Sequence, residues 1–84
     1  MVMQKWEYLV IEGQNISSKG KGFLAPDVRA QKIWIGDDEF DRDEGLNKLG
    51  EQGWELILVY DCGRSSGGSD ATFYYRYFFK RLVP

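Results

Sequence analysis

The stretch that decides the fold is GEQGWELILVYDCG, residues 50–63, in which the end of a helix is followed at once by an apolar strand. Gly53 occupies the position where helices commonly end in a left-handed residue. Strict strand alternation then places Trp54, Leu56, Leu58 and Tyr60 on one face, and Ile57 and Val59 on the other. Both faces of the predicted sheet therefore carry apolar side chains, and each face needs a cover.

The remaining elements follow from periodicity on either side of this stretch. KWEYLVIE (residues 5–12) and TFYYRYFFKRLV (residues 72–83) are rich in aromatic and β-branched residues, which predicts two strands. KIWIG (residues 32–36) predicts a short strand that pairs with the first and docks on the sheet. A helix is predicted over residues 42–52. The sequence therefore indicates β-(β)-α-β-β, an α+β fold with an antiparallel sheet of three to four strands and one helix packed on one face.

The helix has recognisable signals at its start and along its length. Asp41 stands three residues before Glu44, which is the spacing of a capping box. Leu46 and Leu49 form its apolar face. Gly45 and Gly50 weaken it by about 1 kcal/mol each, and we interpret them as allowing a close approach to the sheet.

The whole chain, residues 1–84, is predicted to be one domain with a mobile loop at about 13–31. Gly, Ser, Asn, Lys and Pro dominate this segment, and its periodicity is lost. Its first half has too few apolar residues to offset the cost of ordering the backbone. We therefore expect proteases to cut first near Lys19 or Lys21.

Composition restricts the partners and the cellular location. The net charge is −2 and the pI is near 5.0, so no overall positive field favours nucleic acid or an anionic membrane. No apolar run reaches the roughly 20 residues of a transmembrane helix. A single cysteine, Cys62, cannot form an internal disulfide. We expect a cytoplasmic protein with no membrane partner.

The sequence indicates no catalytic residue, metal site or cofactor, and we expect that the protein is not an enzyme. Histidine is absent, which excludes Ser-His and Cys-His nucleophile pairs. The acidic run from Asp37 lacks the glycine and glutamate of a calcium loop, because Arg42 and Lys48 occupy their positions. Residues 18–22 and 63–68 are glycine-rich, but neither has the strand-glycine-helix context of a phosphate loop.

Three sequence blocks, in order, resemble a known family. They are WEY at 6–8, LNKLGEQGWEL at 46–56 and YFFKR at 77–81. Together they are similar to the small bacterial family catalogued as domain of unknown function 4177. The resemblance implies a strand, a helix and two further strands, and it implies no activity, cofactor or catalytic residue. The long segment at 13–39 and Leu9 depart from the family pattern.

We expect the helix to cover the face of Trp6, Tyr8, Trp54 and Leu56. The predicted interaction face is then the opposite one, consisting of Leu9, Ile11, Trp34, Ile57, Val59, Tyr74, Arg76 and Phe78. So much apolar surface exceeds what a monomer leaves exposed in one patch. The sequence therefore predicts a non-catalytic protein-interaction module that forms a homo-oligomer, a dimer in the first instance, through a sheet face or a strand edge.

A second function from another class stays open. Trp34, Tyr74 and Arg76 would suit a small planar anion or single-stranded nucleic acid, because aromatic rings beside a cation stack on bases. The acidic run opposes nucleic acid, which makes it the less favoured ligand.

Overall fold

A computed structural model describes residues 3–18, 28–67 and 70–83. It confirms the α+β class, with one helix and an antiparallel sheet. The elements in chain order are β1 (Trp6–Ser18), β2 (Val28–Ile35), β3 (Asp38–Asp41), α1 (Arg42–Glu51), β4 (Glu55–Gly67) and β5 (Asp70–Leu82).

The described part of the sheet has five strands in the order β3-β2-β1-β5-β4, where three to four were predicted. The additional strand is β3, which pairs with β2 from Ile35 opposite Asp38 to Lys32 opposite Asp41. Gly36 has φ 63° and starts the two-residue turn between them. A Gly-Asp pair between two strand-like segments is a hairpin signal, and it identifies this strand in the sequence.

The strands are longer than predicted, and they occupy both ends of the predicted loop. Residues 13–18 belong to β1 and residues 28–31 belong to β2, which corrects the loop boundaries of 13–31. β1 pairs with β2 on one side and with β5 on the other, so its polar stretch is held by backbone hydrogen bonds that do not depend on side-chain type. The predicted cleavage sites at Lys19 and Lys21 lie outside the described residues.

The C-terminal end of α1 confirms the role predicted for Gly53. Gly53 has φ 88°, its N–H donates to the Gly50 carbonyl, and the Trp54 N–H donates to the Leu49 carbonyl. These two bonds are the Schellman motif. At the other end the capping box was wrong, because Asp41 occupies the N-cap position without a side-chain cap hydrogen bond.

The core lies between α1 and the sheet. Its buried members are Ile11, Ile33, Leu49, Tyr77 and Phe79, and the partly buried residues around them include Leu9, Phe40, Leu46, Trp54 and Tyr75. α1 packs against β2 and β3. The helix therefore covers the face that carries Leu9 and Ile11, and our placement of it over Trp6 and Tyr8 was wrong.

Two glycines allow close packing on this face. A Cβ atom on Gly45 would come 2.4 Å from Cδ1 of Ile33, and one on Gly13 would come 2.4 Å from Cε2 of Tyr77. Such distances are far shorter than van der Waals contact. Ile33 can therefore pack against α1 at Gly45, and the Tyr77 ring can pack over β1 at Gly13, only because both positions lack a side chain. The predicted role of glycine in close approach is confirmed at Gly45. Gly50 has open space around it.

Candidate interaction surface

β4 forms a long edge of the sheet and has little cover. It pairs with β5 on one side, and it is the last strand in the described sheet on the other. Since α1 packs against β2 and β3, at the opposite end of the sheet, the apolar side chains of β4 stay accessible. Five consecutive residues, Leu56–Tyr60, are 40 to 57% exposed. Such an edge offers unpaired backbone groups beside apolar side chains, which is a template for another strand.

A β-bulge changes which face each of these side chains occupies. Leu56 lies opposite Phe79, whereas Leu58 lies opposite Phe78, so Ile57 is the extra residue of the bulge. As a result Leu56 and Val59 both lie on the helix side. The strict alternation predicted for this strand was therefore wrong. Because all five residues are apolar, their pattern carried no signal of a shift by one position.

The predicted interaction face does not form one surface. Leu9 and Ile11 pack against the core beneath α1, so they are corrected from that face to the covered side. Val59 also lies on the helix side but is exposed, and Ile57 lies at the bulge. The remaining four predicted residues alternate to the side away from the helix, here called the far face: Trp34, Tyr74, Arg76 and Phe78.

Cross-strand pairing arranges the far face in rows that run over β1, β5 and β4. The central row is apolar, and each neighbouring row places a cation of β5 beside a carboxylate. The three rows are Val10–Phe78–Leu58, Tyr8–Lys80–Glu55 and Glu12–Arg76–Tyr60. The far face therefore combines exposed aromatic rings with local charge pairs, and no single sign of charge dominates it.

The three sequence blocks that carry the family resemblance meet at one end of the sheet. The Arg81 guanidinium lies 4.2 Å from the ring centroid of Trp54, forms an ion pair with Glu7, and donates to the Gln52 carbonyl at 2.9 Å. Arg81 thus links β1 and β5 to the chain that leaves α1.

Lys80 makes a second cation–π contact at this end, with Nζ 4.5 Å from the centroid of Trp6. Trp6, Lys80 and Leu82 line an open groove of about 570 Å³ there. The sequence blocks pointed to these residues, but composition and spacing carried no information on their contacts. We interpret the Arg81 cluster as structural, because its polar groups are paired with one another.

Other chemical features are sparse in the part of the chain that the structure describes. Cys62 is exposed, and its Sγ lies 3.7 Å from the Tyr60 carbonyl oxygen. Over residues 3–18, 28–67 and 70–83, no three His, Cys, Asp or Glu residues are grouped as metal ligands. No helix in these ranges is long and apolar enough to cross a membrane.

Comparison of the chain with protein-family models, with curated proteins and with solved structures finds no match. The resemblance to domain of unknown function 4177 therefore stays a prediction that rests on the three sequence blocks.

Proposed function

We propose that this protein is a non-catalytic interaction module that self-associates by pairing β4 with β4 of a second copy. The observation that supports the proposal is the run Leu56–Tyr60, which is apolar and exposed at the long, bare edge of the sheet. The unpaired N–H and C=O groups of such an edge supply hydrogen bonds to an added strand, and the neighbouring side chains supply apolar contact.

A second copy fits this edge because β4 is self-complementary when two copies run antiparallel. With a two-fold axis at Val59, Leu58 of each copy lies opposite Tyr60 of the other, and both side chains belong to the far face. In this register neither Leu58 nor Tyr60 lies opposite a charged residue, so no two like charges face each other in the regular segment between the two bulges of β4. Directly opposed aliphatic and aromatic side chains stabilise a sheet.

Charge favours the β4 edge over the far face as the contact. The far face carries Lys80 and Arg76 on its central strand, each beside a glutamate. Burying it against a second sheet would desolvate these charges, and such a penalty often exceeds the gain. Between Glu55 and Asp61 the β4 edge has no charged residue, so pairing there removes apolar surface from water without that cost.

The experiment compares Ile57→Lys with Val10→Lys, because both native side chains are 51% exposed. Ile57 lies on β4, whereas Val10 lies on β1 two strands away from the edge. We expect wild type and Val10→Lys to sediment as dimers at micromolar concentration. Ile57→Lys should sediment as a monomer, because it places a charge at the paired edge. Circular dichroism spectra establish that each variant is folded.

Two outcomes would contradict the proposal. One is a wild-type chain that stays monomeric throughout the micromolar range. The other is dissociation by Val10→Lys but not by Ile57→Lys, which would locate the contact on the far face.

We propose, as a second candidate function, binding of a planar anion or single-stranded nucleic acid on the far face. The rows of that face support it, since Tyr60 lies beside Arg76 and the Tyr74 hydroxyl lies 3.1 Å from Ser65 Oγ. Tryptophan fluorescence titrated with nucleotides and short single-stranded oligomers tests it. Saturable quenching that Arg76→Ala removes would support binding, and an unchanged signal at millimolar ligand would exclude it.

A further inference from the structure

Two β-bulges interrupt β4, the strand that forms the long bare edge of the sheet. The first has Ile57 as its extra residue. The second has two residues, Cys62 and Gly63, opposite a single residue of β5. Between the bulges a run of four residues, Leu58–Asp61, keeps a regular register with β5. The long edge therefore contains only a short regular segment where its exposed apolar residues lie.

Local geometry fixes the second bulge. Gly63 has φ 102°, a backbone conformation that residues with a side chain rarely adopt. Its N–H donates to Asp61 Oδ1 at 2.8 Å. This backbone donor is therefore satisfied within β4 and is not free to donate to an added strand.

A bulge ends regular strand addition at an edge. It breaks the periodic order of N–H and C=O groups along the strand, bends the strand and increases its twist. An added strand pairs with β4 only where successive residues keep the repeat of a regular strand. Proteins use bulges in this way to limit pairing at exposed edges. On β4 the condition for pairing holds over Leu58–Asp61 and fails on both sides of it.

The bulges also restrict the register of a second copy. An apolar run gives little reason to prefer one register over the next, because a slip by two residues again opposes apolar side chains. Only a two-fold axis at Val59 or at Tyr60 keeps the three central residue pairs free of a bulge. An axis at Tyr60 places the Asp61 carboxylate opposite Val59, where an apolar neighbour cannot pair with the charge. Val59 is therefore the favoured axis.

We infer that the two bulges of β4 confine strand addition to Leu58–Asp61, so that a second copy pairs over this short segment in one register. The inference rests on the proposed β4–β4 contact. It assigns the choice of register to backbone features at Ile57 and Gly63, outside the segment that pairs.

Deletion of a bulge residue tests the inference. A variant that lacks Ile57 joins Leu56 to Leu58, which keeps both residues opposite their β5 partners and extends the regular segment by two residues, to Glu55. We expect the dissociation constant of its dimer to be roughly tenfold lower than that of wild type, because more backbone groups pair. Ile57→Ala keeps the bulge and shortens only the side chain, so as a control it should not tighten the dimer. Sedimentation measures the three constants.

Disulfide crosslinking reports the register, with Cys62→Ser removing the native thiol. Around an axis at Val59, Val59→Cys lies opposite the same residue of the second copy. The two Leu58 positions are then roughly 8 Å apart between Cα atoms, too far for a disulfide. We expect Val59→Cys alone to crosslink when both bulges are present, and Leu58→Cys to crosslink as well once Ile57 is deleted.

A variant that lacks Gly63 repeats the test at the second bulge, and circular dichroism spectra establish that each deletion variant is folded. Unchanged dissociation constants and crosslinks in the folded deletion variants would overturn the inference and leave the β4–β4 contact standing. A monomeric wild type beside a dimeric deletion variant would support the limit set by the bulges and contradict the proposed function. Monomers in every variant would contradict both.

Discussion

The two edges of the sheet differ in length, composition and cover. β3 forms one edge with four residues, three of them acidic, and α1 packs beside it. β4 forms the other edge with thirteen residues, and its apolar run stays exposed. A short, charged, covered edge opposes unwanted pairing, whereas a long apolar edge invites it. The difference indicates that the chain protects one edge and leaves the other available for contact.

Side chains near the two edges also differ in how deeply they are buried. Ile33, next to the protected edge, is fully buried beneath α1, while Ile57 on the bare edge is half exposed. We therefore expect most of the packing energy to come from the β1-β2-β3 side together with α1 and β5. Backbone pairing with β5 holds β4 in place.

The largest expected effect is the difference in lost stability between alanine substitutions at these two isoleucines. Ile33→Ala removes a fully buried side chain and should lower the free energy of unfolding by about 2 to 5 kcal/mol. Ile57→Ala removes an exposed side chain and should change it by less than about 1 kcal/mol. Urea denaturation at a concentration where the chain sediments as a monomer measures both values. Similar losses at the two positions would refute the division into a packed and a bare side.

A second pair of variants tests how closely the helix approaches the protected side. Gly45→Ala would place a Cβ 2.4 Å from Ile33, and we expect a net loss of about 1 to 2 kcal/mol, because overpacking exceeds the gain in helix propensity. Gly50→Ala meets no atom within 4 Å and should stabilise the helix by up to about 1 kcal/mol. Thermal unfolding reports both changes, and stabilisation by both variants would contradict the close contact.

Substitution of Arg81 tests whether the C-terminal end of α1 is held against the sheet. Arg81→Gln removes the ion pair with Glu7 and the contact with Trp54, and we expect a loss of about 1 kcal/mol. The loss is modest because the side chains of the ion pair are a third or more exposed. Trp54 fluorescence should change as the cation leaves its ring. Arg76→Gln, on the same strand but the far face, is the control and should leave stability nearly unchanged.

The smallest expected effect concerns Tyr77, which lies on β5 and is buried in the core. Burial raises its pKa above the ordinary value of 10.0, so above about pH 10 the unfolded chain loses the phenolic proton more readily than the folded chain does. Stability should therefore be independent of this group below pH 10 and fall as the pH rises further.

The control for this prediction is Tyr77→Phe, which cannot ionise. Its unfolding midpoint should decline less steeply above pH 10 than that of wild type. Parallel declines in the two proteins would show that Tyr77 does not contribute to the alkaline loss of stability.

Local signals in the sequence predicted much of the fold. Gly53 ends the helix as expected, because only the residues around it decide whether a left-handed turn forms there. Phe78 of β5 lies on the side away from the helix, as predicted, while its neighbours Tyr77 and Phe79 lie in the core. The short strand β3 was missed even though the Gly36–Asp37 turn signal is present.

The candidate surface was predicted less well, and two residue sets show why. Leu9 and Ile11 have the same apolar character as Tyr8 and Val10, so the sequence did not distinguish the face that the helix would cover. Along Leu56–Tyr60 every residue is apolar, so a bulge that reassigns their faces leaves no mark on the pattern.

The sequence by itself determined the α+β class, the end of the helix, the strong β-propensity of its longest strands and the absence of histidine chemistry. These properties depend on residue type and on neighbours within a few positions. Only the tertiary structure decided which face α1 covers, because the core on that face joins side chains from distant segments, with Gly13 and Gly45 leaving room for Tyr77 and Ile33. It also decided that β4 is the bare edge, since strand order is a property of pairing between distant segments.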